Sequence, residues 1–461
     1  MELKGKRVLV VGLGKSGVAA AFFLLSQGAR VTVSDSKSET QLAKDIPALL
    51  DRGVIIETGG HGERTFRDQD LIVVSPGVPT DTPQLQQARS YGLPIIGEVE
   101  LASIFLRGQI VAITGSNGKT TTTALCGDIL SKSGKTTQVG GNIGTPVTEL
   151  ISRSTDATYN VLEVSSFQLE SIESFHPKIA AILNITPDHL DRHGSFEAYA
   201  QAKARIFMNQ SSEDFAVLNA DDKACLAIGQ EVKSAVYWFG AKEHSSPGSC
   251  ARAASIFWRS VDGREIEIMP LAEISLKGRH NLENVLAAVS IGMLSGCEPA
   301  KIRRAVSEFK AVEHRLEHVA TIKGVAYYND SKATNVDATL KALESFPANI
   351  HIILGGKDKG SDYSVLKELL VKRAKKVYTI GAAAGKIESQ LAGGVAIVNA
   401  QTLDRAIQLA SNAAVPGDVV LLAPACASFD QFENYEHRGR VFKERVFALE
   451  ELPAAGGRSR G

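Results

Sequence analysis

Apolar runs of strand length alternate with helical patterns along almost the whole chain. The runs cover residues 7–11, 30–34, 71–75, 110–114, 160–164, 180–184, 351–354, 377–380 and 419–422. They lack the apolar/polar alternation of a half-wetted strand. Helices must therefore cover both faces, which means parallel α/β sheets. Residues 232–276 are less regular and predict shorter, partly antiparallel strands. Three segments result: 1–97, 98–311 and 312–461, each with its own βα pattern. The tail 453–461, rich in Gly, Ala and Arg, is expected to be disordered.

Length agrees with this division, since 461 residues at roughly 150 per domain give about three domains. Lys+Arg and Asp+Glu are both 51, so the formal charge is zero. That balance argues against a nucleic-acid or anionic-membrane binder, but not against small anions, which need only local donors. Five scattered cysteines with no CxxC pair suggest neither zinc nor a disulfide framework, and point to a reducing compartment. No apolar stretch of about 18 residues occurs, and MELKGKRVLVVGLG enters a strand at once. A cytoplasmic protein without a membrane anchor is expected.

Two glycine-rich motifs follow strands. The sharper is IVAITGSNGKTTTTALCGDIL, which reads as strand, loop and helix. Gly115, Ser116, Asn117 and Gly118 form a loop whose backbone N–H groups can wrap phosphate oxygens. Lys119 adds a point charge, and the following helix turns its positive end to the anion. Thr120 or Thr121 can offer a hydroxyl to Mg2+. Hard oxygen ligands should lie nearby. Glu163 ends the run NVLEVSS, and NITPDHLDRH packs Asp188, His189, Asp191 and His193 after the next strand. Lys203 falls in a helix expected over 196–209 with Ser195 as cap; taken alone it reads as a surface lysine.

The first motif, VLVVGLGKSGVAAAFFLLSQG, matches GxGxxG through Gly12, Gly14 and Gly17, and Asp35 ends the next strand eighteen positions after Gly17. This is a dinucleotide fingerprint, yet it does not separate an NAD site from a UDP site. The loop 75–79 (SPGVP) offers backbone to a phosphate as well. In the third segment, His314 and Arg315 open the pattern. Asp330, Ser331, Lys332, Thr334 and Asn335 follow one strand, Lys357, Asp358 and Lys359 another, and Ser428, Phe429 and Tyr435 a third. Each set lies where an α/β sheet places its ligand crevice.

TGSNGKT, LEVSSFQLE, NITPDHLDRH, GRHNLEN, EHRLE, NDSKATN and APACASFDQFENYEHRG occur in order over about residues 5–445. Together they resemble the Mur ligases of peptidoglycan synthesis. The last block and GEVEL look most like the members that add D-glutamate. The resemblance implies an α/β chain of three domains: an N-terminal Rossmann-like nucleotide-binding domain, a central P-loop ATPase-like domain and a C-terminal Rossmann-like domain. It implies ATP and magnesium (two ions), with UDP-N-acetylmuramoyl-L-alanine and D-glutamate as substrates, and a monomer.

Residue by residue, the resemblance assigns Gly14, Lys15, Ser16, Asp35, Ser36, Lys37, Gly77 and Asn142 to the UDP substrate. It assigns Gly115, Ser116, Asn117, Gly118, Lys119, Thr120, Thr121, Asn281, Asn284, Arg315, Asp330 and Lys332 to ATP. Thr120, Glu163, His189 and a carbamylated Lys203 would serve the metal, and Lys119, Glu163, His189 and Lys203 catalysis. Thr334, Lys359, Ser428, Phe429 and Tyr435 would receive D-glutamate. Lys357, Lys37 and Tyr435 depart from residues found in some members. The alternatives are a sibling ligase, including the folate-glutamate type, an NAD-binding oxidoreductase built on the first motif, and a P-loop ATPase acting as an assembly module.

Overall fold

The computed structural model describes residues 1–42, 46–142, 144–276, 278–310 and 313–449. The expected tail 453–461 and the boundary at 311/312 lie outside those residues, as does the side chain of Asp191. The described chain forms three sheets within two compact units. The first unit comprises residues 1–185, 195–275 and 282–309; the second comprises 186–194, 276–281 and 310 onward.

In the first unit, β1 (Arg7–Val11), β2 (Arg30–Asp35), β3 (Ile55–Thr58), β4 (Leu71–Val74) and β5 (Ile95–Gly97) make an all-parallel sheet, in the order β3-β2-β1-β4-β5. Its side chains divide with the two-residue period of a strand. Val8, Val10, Val31, Val33 and Val73 enter one core, while Leu9, Val11, Ile72 and Val74 enter another. Both faces are dry, which is why the sequence showed unbroken apolar runs. Strand order reverses between β1 and β4, so a crevice opens beyond their C-terminal ends.

The second sheet of this unit has nine strands: β6 (Gln109–Thr114), β7 (Thr137–Gly141), β8 (Tyr159–Glu163), β9 (Ile179–Ile182), β10 (Phe215–Asn219), β11 (Ala235–Gly240), β12 (Gly248–Arg252), β13 (Ser255–Arg259) and β14 (Glu265–Pro270). The order is β14-β13-β12-β11-β10-β9-β6-β8-β7. The pairs from β7 to β12 are parallel, and β12-β13-β14 is an antiparallel meander, as the irregular stretch predicted. Strand β6, which feeds the phosphate loop, lies between β8 and β9.

Helix Glu98–Phe105 joins these two sheets. Its Val99 and Ala102 belong to the central core, whereas Leu101 belongs to the N-terminal core. Two buried carboxylates pin it. Glu98 Oε1 accepts bonds from Thr148 N (2.7 Å) and Thr148 Oγ1 (2.9 Å). Glu100 accepts from Glu173 N (2.9 Å), Ser174 N (2.8 Å), Phe175 N (3.0 Å) and the Ser174 hydroxyl.

The second unit contains β15 (Glu317–Ile322), β16 (Val325–Asn329), β17 (Ile350–Gly355), β18 (Ala374–Ile380), β19 (Ile397–Gln401) and β20 (Val419–Leu422), ordered β15-β16-β20-β17-β18-β19. All pairs are parallel except β15 with β16. Again both faces are covered, with Ile350, Ile352 and Leu354 in one core and Ile353, Val420 and Leu422 in the other. Among the described residues no helix is long and apolar enough to cross a membrane.

Candidate functional site

The crevice beyond β1 and β4 is a pocket of about 400 Å3. All eight residues expected to meet the UDP substrate line it: Gly14, Lys15, Ser16, Asp35, Ser36, Lys37, Gly77 and Asn142. Gly12 turns the chain at φ +91°, and a Cβ on Gly17 would lie 1.9 Å from the Gly12 carbonyl oxygen, so the glycines set a tight turn packed on its helix. Asp35 organises the walls. Its carboxylate accepts from Leu13 N (2.7 Å) and Lys37 N (2.8 Å). The Lys15 ammonium donates to the Gly144 carbonyl. His61 and Ser75 also line the pocket; no sequence motif marked His61, whose Nδ1 lies 2.7 Å from Ser34 Oγ.

Beyond β6 the phosphate loop has Gly115 at φ +151° and Gly118 at φ +86°, where helix Lys119–Lys132 begins. A Cβ on Gly118 would sit 2.1 Å from Asn284 Oδ1, which places Asn284 against the loop. Asn184, two residues past the end of the neighbouring strand β9, fixes the loop from the other side. It accepts from Asn117 N (2.9 Å), donates to Asn117 O (3.1 Å), and its carbonyl accepts from Ser116 N (2.9 Å). Lys119 folds back so that Nζ donates to Gly115 O (2.8 Å) and Ser116 O (2.9 Å). Thr120 Oγ1 donates to Glu163 Oε2 (2.8 Å), and Thr121 is buried in the same turn.

Lys203 was a surface lysine on its own merits, but the structure buries it to 1% exposure. Its Nζ donates to Gly115 O (2.9 Å) and lies 4.5 Å from the centre of the Tyr199 ring. The helix bearing it, capped by Ser195 as expected, runs only Phe196–Ala204 and passes into a 3-10 turn at Arg205–Phe207. The expected helix over 196–209 was too long because its apolar spacing continues through that turn. Thr120 and Glu163 together offer a hydroxyl and a carboxylate, a donor set suited to a hard cation such as Mg2+. Lys203 as an ammonium offers no metal ligand; a carbamate on it would.

The remaining candidates lie in the second unit. Arg315 is flanked by two residues in the left-handed region, His314 at φ +66° and Leu316 at φ +41°. Strain of this kind persists only when neighbours over-determine it. Here His314 N donates to Glu317 Oε2 (3.0 Å), Leu316 N donates to Asp330 Oδ1 (3.3 Å), and Lys332 N donates to His314 O (3.2 Å). Lys443 bonds both Glu313 and Glu317 at 2.8 Å. Burial pushes the Asp330 carboxyl up to about 6 against the pull of Arg315 and Lys332. Burial, then the positive charges of Arg315 and Lys341, hold His280 down to about 3, so that it is neutral. The adjacent Asn281 donates its N–H to Gly278 O (3.1 Å).

A cavity of about 510 Å3 in this unit is lined by Thr186, Asp188, His189, Asn335 and Lys359, among others. Asp188 accepts from Asn335 Nδ2 (2.9 Å) and Lys359 Nζ (3.4 Å). His189 sits at φ +53°. Thr334 donates its N–H to Lys332 O (2.8 Å) in the turn before helix Val336–Glu344. Ser428, Phe429 and Tyr435 follow β20 and are not among the residues lining that cavity. Ser428 is buried, Phe429 is 68% exposed, and the Tyr435 ring lies 5.2 Å from Lys332 Nζ.

Sequence reasoning overlooked Arg438. It is wholly buried and donates to Ser331 Oγ (2.9 Å), Ser331 O (2.8 Å) and Cys426 O (3.2 Å), tying the loops after β16 and β20 together. Such an arginine gives no local signal, because Ser331 lies 107 residues away and the Cys426 partner is a backbone carbonyl, which no side chain marks.

Three family models match the chain in order. They are the MurD-like N-terminal domain of Mur ligases over residues 6–97, the Mur ligase middle domain over 113–292, and the Mur ligase glutamate ligase domain over 314–426. The UDP-N-acetylmuramoylalanine–D-glutamate ligase of Koribacter versatilis is 65% identical over 451 residues, covering 98% of this chain and 99% of that one. The ligase of the same name from Acidobacterium capsulatum is 61% identical over 449 residues, 97% of each chain. Among solved structures, the UDP-N-acetylmuramate–alanine ligase MurC of Thermotoga maritima superposes with a TM-score of 0.61 at 21% identity, covering 96% of this chain and 100% of that one. That likeness shows the fold alone, three α/β domains. The chain belongs to the Mur ligase family, in the branch of the UDP-N-acetylmuramoylalanine–D-glutamate ligases.

Proposed function

We propose that the chain joins D-glutamate to UDP-N-acetylmuramoyl-L-alanine at the expense of ATP, in peptidoglycan precursor synthesis in the cytoplasm. One observation carries the reading: a lysine-bearing glycine loop whose Thr120 hydroxyl rests on the buried Glu163 carboxylate, beside a pocket lined by a dinucleotide-type glycine turn. We place the domain boundaries at 97/98 and 311/312, and take the working form as a monomer using two magnesium ions.

The chemistry explains why such a loop is needed. A carboxylate is a poor electrophile, and its oxide leaves badly. Transfer of the γ-phosphoryl group of ATP to the substrate carboxylate gives an acyl phosphate, and the amine of D-glutamate then attacks its carbonyl carbon. The tetrahedral intermediate expels inorganic phosphate, which carries away one carboxylate oxygen. One difficult step becomes two easier ones. Charge gathers on the moving phosphoryl group, so positioning and positive charge dominate.

In this reading the loop 115–118 cradles the ATP phosphates and Lys119 swings from the loop carbonyls to meet them. Asn281, Asn284, Arg315, Asp330 and Lys332 hold the rest of the nucleotide. Thr120, Glu163, His189 and the carbamate of Lys203 would hold magnesium, which when bound offsets charge on the phosphates. Lys359 meets a carboxylate of D-glutamate, with Thr334, Ser428, Phe429 and Tyr435 completing that site. The test is ADP release from ATP and UDP-N-acetylmuramoyl-L-alanine with D-glutamate, L-glutamate, L-alanine or L-lysine as acceptor. Release with D-glutamate alone is expected; equal release with L-glutamate, or release without any acceptor, would overturn the reading.

A further inference from the structure

The UDP pocket and the Glu163 carboxylate share one side chain. Strand β7 runs parallel to β8, and its last residue, Gly141, is pressed against Glu163: at φ +108°, a Cβ there would lie 2.2 Å from the Glu163 carbonyl oxygen. The close approach delivers Asn142 to Glu163 twice. Asn142 N donates to Glu163 O (2.8 Å), and Asn142 Nδ2 donates to Glu163 Oε1 (3.0 Å). The other carboxylate oxygen receives the Thr120 hydroxyl at 2.8 Å. Glu163 is 1% exposed, so its carboxylate is oriented from the pocket side by Asn142 and from the loop side by Thr120. Asn142 itself lines the 400 Å3 pocket with Gly12, Lys15 and Asp35.

We infer that Asn142 is a positioning residue that couples occupancy of the UDP pocket to the orientation of Glu163, and hence to binding of magnesium-nucleotide. The inference rests on the proposed assignment of those two sites. An amide nitrogen carries two hydrogens. One is engaged by Glu163, and an anionic oxygen of a bound diphosphate takes the other, fixing the amide plane. A fixed amide holds Glu163 in one rotamer, the one in which its carboxylate would meet the cation. Coupling of this kind is reciprocal: the factor by which magnesium-nucleotide tightens UDP-substrate binding equals the factor in the other direction. Hydrogen bonds to a charged group set its scale at about tenfold.

The experiment is calorimetric binding of UDP-N-acetylmuramoyl-L-alanine to the full chain, with and without Mg2+ and a non-hydrolysable ATP analogue. It uses wild type, Asn142→Ala, Asn142→Ser and Lys15→Ala. Wild type should bind about tenfold more tightly with magnesium-nucleotide present. Both Asn142 variants should lose that ratio, whereas Lys15→Ala, on the same pocket but without a bond to Glu163, should bind more weakly and keep it. Thermal melting of each variant identifies any that fails to fold, and Asn142→Ser retains a small polar group should the alanine variant do so. An unchanged ratio in a folded Asn142 variant, or no ratio in wild type, overturns the inference. Wild type that fails to bind the UDP substrate at all overturns the functional assignment instead.

Discussion

Glu98→Gln should flatten the pH dependence of stability of the first unit. Glu98 is 2% exposed, and burial pushes its carboxyl up to about 7, although bonds from Thr148 favour the anion. Its Oε2 has no hydrogen-bond partner among the described groups. The unfolded chain gives up this proton near the ordinary value of 4.5, while the folded chain holds it to about 7. The folded state therefore binds more protons through that window. Its contribution to stability is complete below 4.5, falls as pH rises towards about 7, and stays constant above. At about 1.36 kcal/mol per unit, the loss is about 3 kcal/mol. Glutamine ionises in neither state. Its carbonyl can keep the Thr148 bonds, and its NH2 group adds a cost that does not vary with pH. The assay is urea unfolding at pH 5 and pH 8, followed by fluorescence of Trp238 and Trp258. These are the chain's two tryptophans, and both lie in the unit that contains Glu98. Wild type should lose about 2–3 kcal/mol more than the variant between the two pH values. Parallel profiles would refute the claim that this carboxyl is held protonated by burial.

Other perturbations have expected outcomes of the same kind. Glu100→Ala strips the acceptor from three backbone N–H groups and the Ser174 hydroxyl, and should cost about 3 kcal/mol or more in the tryptophan-reported transition; an unchanged midpoint would show that water replaces the carboxylate. Gly118→Ala meets both a left-handed φ of +86° and the Asn284 oxygen at 2.1 Å, and should weaken ATP binding at least about tenfold in calorimetry, with UDP-substrate binding in the absence of nucleotide unchanged. Lys203→Ala should lose most ligase activity, with partial recovery in excess bicarbonate or another small carboxylate; full activity without rescue would remove the carbamate from the mechanism.

The sequence made nine strands visible because both their faces are largely buried, so their apolar runs are unbroken. Other strands were harder to see, including the central β10, whose Ala216, Val217 and Leu218 are fully buried. Strand β3 leaves Ile55 68% exposed, β5 has three residues, and the meander from β12 to β14 mixes faces. The glycine motifs were legible because glycine takes the positive φ at 115 and 118 at least cost, and because the lysine and threonine follow in register. What the motifs could not disclose were partnerships across long separations. Asp188 with Lys359, Asn142 with Glu163, and Arg438 with the carbonyls near Ser331 and Cys426 depend on which strand ends the fold brings together. Helix Glu98–Phe105 is a similar case. GEVEL carries no periodic signature for two carboxylates that serve backbone donors 50 and 73 residues away.

The most direct test of acyl-phosphate chemistry follows an oxygen atom. UDP-N-acetylmuramoyl-L-alanine labelled with 18O in its free carboxylate is incubated with the protein, ATP, magnesium and D-glutamate, and the released phosphate is analysed by mass spectrometry. One 18O per phosphate formed is expected, because the oxygen that accepted the phosphoryl group leaves with it. Unlabelled phosphate accompanied by ligated product would contradict the mechanism.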